Sequence, residues 1–184
     1  MFDCGVSAKL FNDIDLTKVK YVFLTHIHQD HVKTNNLKKL ITKDIFCNSE
    51  VYEKFKDILV DAKNVTIITN QVYKIKNYNV IAFEVLHDAM THGFSFIGKE
   101  ITFLYCTDVS RSKELPDLQY DYIFLEANYD VNKLLLASEK SPKVRKRATR
   151  NYRHLSKQDS LQYAITHLKS GGKYIPLHQS KEFY

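Results

Sequence analysis

The sequence is poor in cysteine and contains no long apolar run, and both shortages exclude classes of protein. Its three cysteines, Cys4, Cys47 and Cys106, are far apart and form no CxxC pair, which indicates reduced thiols rather than a disulfide framework. No apolar run approaches the roughly 18 residues that cross a bilayer. The first residues also lack the basic and apolar segments of a secretion signal. We therefore expect a cytoplasmic protein that does not bind membranes.

Repeats, low-complexity tracts and linkers rich in Ser, Gly or Pro are also absent from the 184 residues. A chain of this length suits one ordinary domain with a sizeable buried core. The hydrophobic content of 44% and the charged content of 26% are those of a globular protein. The sequence therefore predicts a single domain over residues 1–184.

The positive charge is unevenly distributed. The formal net charge is +6, and seven cations without any acid fall between residues 140 and 153: Lys140, Lys143, Arg145, Lys146, Arg147, Arg150 and Arg153. Taken alone, such a run most often forms a solvated surface. Its position directly before His154 also allows a nucleic-acid contact, and this second interpretation depends on the role of that histidine.

Short apolar, β-branched runs alternate with amphipathic segments along the chain, which predicts an α/β sandwich of mixed sheets. Helices are expected at residues 34–42, where Leu37, Leu40 and Ile41 have helical spacing, and at residues 49–59. Strands are predicted at residues 19–24, 65–69, 71–75, 79–86, 93–97, 100–106 and 122–125.

The last helix has the clearest signals. Ser156-x-x-Asp159 resembles a capping box, and one apolar face is predicted from Leu161, Ala164, Ile165 and Leu168. Gly171-Gly172 is expected to end this helix. The chain would then return as a strand over residues 173–177, with His178 at its tip.

A histidine-rich segment, Thr25-His26-Ile27-His28-Gln29-Asp30-His31, follows the first predicted strand. His26 and His28 are separated by one residue, so on an extended segment they point the same way and can chelate one ion. Asp30 and His31 follow directly and can bind a second ion. Imidazole and carboxylate together suit zinc, manganese or a similar divalent metal. Surface histidines without a ligand role are the alternative, but this pattern at a strand end is improbable by chance.

This segment resembles the signature loop of the metallo-β-lactamase superfamily, whose fold is an αββα four-layer sandwich with metals at one edge. The resemblance implies that His87 completes a first site with His26 and His28. It further implies that Asp108 bridges two divalent ions, zinc or manganese, and that His178 joins Asp30 and His31 at the second site. Of the remaining histidines, His167 is expected on the surface, and His92 is either a plain loop residue or a substrate contact.

Two such metals, typically about 3.5–4 Å apart, can bridge a hydroxide and polarise a phosphoryl or carbonyl oxygen, so no Ser or Cys nucleophile is needed. Asp30 is therefore assigned to the catalytic set as well. Glu126-Ala127-Asn128 and Arg153-His154-Leu155-Ser156 are similar to motifs of the phosphodiesterase branch that includes tRNase Z. This resemblance implies that His154, paired with Glu126, contacts the scissile phosphate and donates a proton to the leaving oxygen. Alternatively, Glu126 is a partly buried acid at a strand end, and His154 is a residue that caps a helix.

The chain also resembles the YycJ/WalJ-type exonuclease family at residues 2–9, 87–89, 126–130 and 142–147. That resemblance implies a DNA exonuclease acting from 5′ ends, with DNA favoured over RNA. The basic stretch would then hold backbone phosphates. The residues predicted to contact substrate are Asn128, Arg145, Lys146, Arg147, Arg150 and Arg153.

Members of these families usually begin with a β-hairpin that this sequence lacks. We therefore expect a natural minimal form, a fragment, or an exposed sheet edge covered in a homodimer. Three other functions stay open. The first is RNA processing of the tRNase Z type, although its flexible-arm insertion is not evident. The second is hydrolysis of small phosphodiesters or thioesters, and the third is a truncated nucleic-acid-binding fold without turnover.

Overall fold

The computed structural model describes residues 1–138 and 153–184, and the chain divides into two compact units. Unit 1 consists of Met1–Thr69 and Ala89–His92, and unit 2 of Asn70–Asp88 and Gly93–Tyr184. Each unit contains one β-sheet with helices, so the expected α/β fold is confirmed. No helix within the described ranges is both long and apolar enough to cross a bilayer. The single domain over residues 1–184 stays a prediction.

Unit 1 contains a parallel three-stranded sheet. Its strands, in sheet order, are β1 (Tyr21–Leu24), β2 (Asp44–Cys47) and β3 (Asn64–Ile67). Parallel neighbours need crossover connections, and the segments between these strands contain the helices α2 (Thr34–Leu37), α3 (Ser49–Lys54) and α4 (Lys56–Leu59), after the N-terminal α1 (Ala8–Asn12). Alternate residues of β1 and β2 form the core with these helices: Val22, Leu24, Ile45 and Cys47.

The helices of unit 1 are shorter than the sequence predicts. The helix expected at residues 34–42 ends at Leu37 and continues as turns, in which the Leu40 amide donates to the Leu37 carbonyl. The helix expected at residues 49–59 is two helices, because Phe55 between them has φ −112° and ψ 22°. The ring of Phe55 is buried, so core packing overrides the helical continuity that the spacing suggests.

Unit 2 contains a mixed six-stranded sheet. In sheet order its strands are β4 (Val72–Ile75), β5 (Tyr78–Val85), β6 (Thr91–Ile97), β7 (Thr102–Cys106), β8 (Tyr120–Glu126) and β9 (Leu168–Leu177). Two pairs, β4–β5 and β6–β7, are antiparallel, whereas β7–β8 and β8–β9 are parallel. Its helices are α5 (Val131–Ser138) and α6 (Lys157–His167). The strands predicted between residues 65 and 125 all form, with boundaries shifted by one or two residues.

Helix α6 begins as predicted but buries a different face. The amide of Asp159 donates to Ser156 Oγ at 3.0 Å, so the capping serine is confirmed. Leu161 and Ile165, predicted on the apolar face, are 45% and 66% exposed, so that prediction is wrong for both. Ala164 is buried as predicted, and it shares the buried face with Tyr163 and Ser160. The large ring of Tyr163 supplies the apolar area, and its hydroxyl donates to the Pro116 carbonyl at 2.6 Å.

The two glycines predicted to end this helix lie in a strand. Helix α6 ends at His167 and β9 follows at Leu168. On β8, Tyr120 pairs with Leu168 and Tyr122 with Lys173, so the intervening residues of β9 form a bulge. Gly171 has φ +77° within it, a conformation that glycine adopts without steric strain.

The three cysteines are free and buried in the structure. Burial raises the pKa of Cys4 and of Cys47 to about 12. Burial and the nearby carboxylates of Glu126 and Asp108 raise the pKa of Cys106 well above its usual value. All three are therefore protonated thiols at neutral pH, and a thiolate nucleophile does not arise from them.

Candidate functional site

Unit 1 contains four of the predicted metal ligands and unit 2 contains three. In unit 1, β1 ends at Leu24 and the chain leads directly to the fully buried His26. His26 Nε2 lies 3.0 Å from His28 Nδ1, and the rings of His26 and His31 have centroids 4.2 Å apart. An Asp30 carboxylate oxygen lies 3.8 Å from His31 Nε2. The structure thus brings the four predicted ligands of this segment together.

The donor atoms of this cluster fit a divalent ion. Two imidazole nitrogens that bind the same ion, with metal–nitrogen bonds of about 2.0–2.1 Å, lie about 3 Å from each other. The separation of the His26 and His28 nitrogens matches this distance. The turn that follows keeps the segment compact, because the amides of His31 and Val32 both donate to the His28 carbonyl. His26 and His28 are therefore suited to chelation, with Asp30 and His31 beside them.

Asp3 supports this cluster, and the sequence analysis missed it. Its Oδ2 lies 2.8 Å from His31 Nδ1, and its Oδ1 accepts from the Thr25 amide at 2.8 Å. A carboxylate can only accept, so Nδ1 of His31 carries the hydrogen and Nε2 keeps its lone pair for a metal. Asp3 is buried and has φ +52°. It lies 28 residues before His31, so no local spacing pattern connects the two.

Replacing Asp3 by Asn is expected to weaken metal binding about 10- to 100-fold, the effect typical of losing the partner that orients a histidine ligand. The amide is neutral and presents an N–H₂ group that faces the Nδ1 hydrogen of His31. Competition with a chromogenic chelator measures the change. Asp15→Asn is the matched control, since Asp15 accepts from the Thr17 amide on an exposed turn. Equal zinc affinities for wild-type and Asp3→Asn protein would contradict the role of Asp3.

In unit 2, the predicted site residues collect at the carboxyl ends of neighbouring strands. Strands β7, β8 and β9 are parallel, so their ends lie at one edge of the sheet. Asp108 comes two residues after β7, Glu126 ends β8, and His178 follows β9. With His154, which lies before α6, these residues offer ligand atoms that all lie within 4.8 Å of one another. His87, two residues beyond β5, places Nε2 3.6 Å from Asp108 Oδ1.

Glu126 holds two histidines of this cluster at once. It is fully buried, and Oε1 lies 2.7 Å from His154 Nδ1 and 2.9 Å from His178 Nδ1. Its Oε2 accepts from the Val109 amide at 2.8 Å and from the Leu155 amide at 3.4 Å. Because the carboxylate accepts at Nδ1 of both rings, each ring presents Nε2 on its far side. Sequence analysis paired Glu126 with His154 and missed its contact with His178.

Asp108 lies at the centre of the cluster. Its Oδ1 is 3.3 Å from His178 Nδ1 and 3.6 Å from His154 Nδ1, and Oδ2 accepts from the Thr107 hydroxyl at 2.8 Å. Asp108 and His178 have φ values of +54° and +50°. Left-handed backbone is uncommon outside glycine and concentrates at functional sites. The Asp108 carboxylate therefore lies where it can bind a metal ion together with neighbouring histidines.

The surroundings of His154 favour its protonated form. Burial alone lowers the pKa of this histidine, but the hydrogen bond to Glu126 and the charges of Glu126 and Asp108 outweigh that effect and raise the pKa above its usual value. The imidazole therefore keeps its second proton at a higher pH than a free histidine would. This property suits a group that donates a proton.

The predicted substrate-binding residues have mixed outcomes. Arg145, Lys146, Arg147 and Arg150 lie outside the described residues. Arg153 forms an ion pair with Asp88 at 3.4 Å. Asn128 is buried and its amide donates to the His178 carbonyl at 2.8 Å, so it supports the backbone of a predicted ligand. Substrate contact by Arg153 and by Asn128 stays a prediction.

Two further histidines differ from expectation. His92 is buried in β6, and its amide donates to the Thr25 carbonyl at 3.2 Å, so it is not a plain loop residue. His167 stacks on Tyr163 with ring centroids 3.9 Å apart and places Nε2 3.3 Å from an Asp117 carboxylate oxygen. The expectation of an ordinary surface histidine is wrong, because its side chain is 13% exposed.

Known proteins resemble the chain at the level of sequence and of structure. A family described as "Beta-lactamase superfamily domain" matches residues 1–160. Ribonuclease Z of Methanocaldococcus jannaschii is 28% identical over 148 residues, which are 65% of this chain and 45% of that protein. The chain thus matches less than half the length of this relative.

Two solved structures have a similar fold. Human tRNase Z, short form, has a TM-score of 0.68 at 16% identity, covering 98% of this chain and 81% of that one. The metallo-β-lactamase fold protein YhfI from Bacillus subtilis has a TM-score of 0.71 at 15% identity, covering 97% and 73%. At these identities the similarity shows the fold alone.

Proposed function

This chain belongs to the metallo-β-lactamase superfamily and is a hydrolase, and we propose that it is a metal-dependent phosphodiesterase that cleaves RNA. The fold implies divalent metal ions, commonly zinc. The ribonuclease Z of Methanocaldococcus jannaschii, 28% identical to this chain, supports RNA as the substrate class. The DNA exonuclease of the sequence analysis becomes the principal alternative, because no comparison supports a preference for DNA.

The observation that carries the proposal is the contact of 2.7 Å between Glu126 and His154 beside Asp108. Cleavage of a phosphodiester leaves an alkoxide oxygen that needs a proton, and a positioned imidazole supplies one. The hydrogen bond to Glu126 and the charges of Glu126 and Asp108 raise the pKa of His154, which favours the protonated form that can donate. An imidazole held in this way is useful to a phosphodiesterase, because the leaving oxygen needs a proton. A hydrolase whose leaving group departs without a proton has no need of it.

The proposed metal ligands are those of the sequence analysis: His26, His28, Asp30, His31, His87, Asp108 and His178. Bound divalent ions would activate water and polarise the phosphoryl oxygen. The protein's own residues then have distinct tasks. Glu126 fixes the Nδ1 hydrogens of His154 and His178, and His154 holds the transferable proton on Nε2. We assign the basic run of residues 140–153 to the phosphates of the substrate.

A cleavage assay with matched substrates tests this function. The purified protein is incubated with zinc or manganese and with labelled single-stranded RNA, single-stranded DNA and duplex DNA of the same sequence. We expect metal-dependent cleavage of RNA. The Asp108→Ala variant should lose more than about 10²-fold of this activity, since loss of a residue that merely supports a ligand costs 10- to 100-fold.

The other outcomes assign the function differently. Release of short products from DNA ends, with RNA left intact, would identify a DNA exonuclease. Hydrolysis of bis(p-nitrophenyl) phosphate without cleavage of any nucleic acid would identify a phosphodiesterase for small molecules. Undiminished activity of the Asp108→Ala protein would refute the proposed role of this cluster in the observed cleavage.

A further inference from the structure

Unit 1 contains a cavity of about 330 Å³ with a mixed polar and apolar lining, to which Gln29 of the histidine-rich segment contributes. Its size is near the lower end of the range of about 300–1,000 Å³ for small-ligand pockets. The side chains that matter for its chemistry are Gln29, Lys33, Thr34, Asn35, Lys54 and Phe55. Amide, hydroxyl and ammonium groups therefore contribute to the lining of a space that is large enough for one small ligand.

The charged lining of this cavity is cationic. Lys33 and Lys54 are its charged residues, and the rest of the lining is uncharged. Each ammonium group is anchored by one main-chain carbonyl, Lys33 Nζ by Val6 at 3.3 Å and Lys54 Nζ by Ile27 at 2.8 Å. An ammonium group has three N–H donors, so each lysine keeps donors for a ligand. Two cations fixed in this way favour an anion.

The cavity adjoins the predicted ligands of unit 1. Gln29, which lines it, lies between His28 and Asp30 in the sequence. Lys54 is hydrogen-bonded to the carbonyl of Ile27, between His26 and His28. The cavity and the histidine-rich segment therefore share a stretch of main chain.

We propose that this cavity binds a backbone phosphate of the RNA strand, adjacent to the phosphodiester that is cleaved. The inference rests on the proposed function and adds a substrate subsite to it. Lys33 and Lys54 supply the charge, and Gln29 and Asn35 supply hydrogen bonds to the phosphate or the attached sugar. A small phosphodiester has no second phosphate, so it does not reach the subsite.

Binding of a short fluorescent RNA, measured by anisotropy in an Asp108→Ala background that prevents cleavage, tests the subsite. The cavity variant is Lys33→Gln/Lys54→Gln. The control is Lys18→Gln/Lys63→Gln, which removes the same charge from exposed positions of the same unit. We expect the cavity variant to raise Kd about tenfold or more relative to this control, as for hydrogen bonds to charged groups. For the cavity variant, the slope of log K for RNA binding against log salt concentration should become shallower by about 0.7, the contribution of one lost phosphate contact.

A second readout separates the subsite from the catalytic residues. With Asp108 intact, the cavity variant should lose a larger factor of kcat/KM on RNA than on bis(p-nitrophenyl) phosphate, and Lys33→Arg/Lys54→Arg should retain RNA affinity. An equal proportional loss on both substrates would overturn the subsite, because Lys54 would then act only by shaping the histidine-rich segment. Thermal melting checks that each variant is folded.

Failure of the subsite and failure of the proposed function give different results. Equal Kd values for the cavity variant and the control, in a protein that cleaves RNA, would overturn the subsite alone. A protein that hydrolyses the small ester but binds no RNA would overturn both the subsite and the RNA substrate.

Discussion

Replacing Glu126 by Gln is expected to lower kcat/KM for RNA cleavage by about 10²–10⁴-fold, the range that a positioned proton donor contributes. The carboxylate accepts hydrogen bonds from Nδ1 of both His154 and His178. Both Nδ1 atoms contact Oε1, and the amides of Val109 and Leu155 contact Oε2. A glutamine has one carbonyl oxygen, so its N–H₂ group must face one of these two pairs of donors. His154 loses the Glu126 charge that raises its pKa, and it loses its orientation as well when the N–H₂ group faces its Nδ1. The proton for the leaving oxygen is then poorly placed and less available.

The leaving group provides the decisive measurement for Glu126→Gln. p-Nitrophenolate departs without a proton, so bis(p-nitrophenyl) phosphate should suffer much less from this substitution than RNA does. A general structural defect would lower both activities alike, and that result would contradict the positioning role. The control is Asp121→Asn on the same strand, where the acid accepts from the Thr102 amide and from Lys169. Its activity on both substrates should match the wild type.

Truncating Glu126 to alanine should also affect stability. The carboxylate is fully buried and accepts from the amides of Val109 and Leu155 as well as from the two histidines. Removing one partner of a buried charged network leaves the others uncompensated, which destabilises proteins by about 3–5 kcal/mol. Glu126→Gln preserves the volume and is therefore the variant that separates catalysis from folding.

The sequence predicted the parts of the site that depend on local spacing. His26 and His28 are adjacent in space because a single residue separates them on extended backbone, and the structure places their nitrogens 3.0 Å apart. The strands that end near Asp108 and Glu126 were recognisable from their apolar, β-branched residues. Because β7 and β8 are parallel neighbours, residues at their carboxyl ends meet at one edge. Local spacing therefore predicts the cluster of unit 1, whereas the residues of the unit 2 cluster were predicted from the resemblance to known families.

The missed features depend on contacts between distant segments. Asp3 meets His31 across 28 residues, and Glu126 meets His178 across 52. A lone acid in a sequence gives no sign of such a partner. The buried face of α6 was mispredicted for a related reason, since Leu161 and Ile165 are apolar but exposed. The packing partner of a helix decides which face is buried, and the helical repeat alone does not specify that partner.

Gly5 should tolerate no side chain, and Gly5→Ala is expected to destabilise the protein by about 3 kcal/mol or more, at the upper end of overpacking effects. A Cβ atom at this position would lie 1.7 Å from the Asp30 carbonyl oxygen and 2.4 Å from the His31 nitrogen. Both obstacles are backbone atoms, so no side-chain rotation relieves the overlap. The segments are also tied together, because the Cys4 amide donates to the His31 carbonyl at 2.7 Å.

The overlap at Gly5 affects metal binding because relief requires the main chain at Asp30 and His31 to move. That movement separates His31 Nδ1 from Asp3, which now lies 2.8 Å away. We expect Gly5→Ala to unfold at lower urea concentration and to bind less metal, as measured by denaturation and elemental analysis. Val6→Ala, at a neighbouring residue that is 44% exposed, should stay within about 0.5 kcal/mol of the wild type. Wild-type metal content in Gly5→Ala would show that the segment yields without losing its ligands, and the close approach of Gly5 would then not be required for the site.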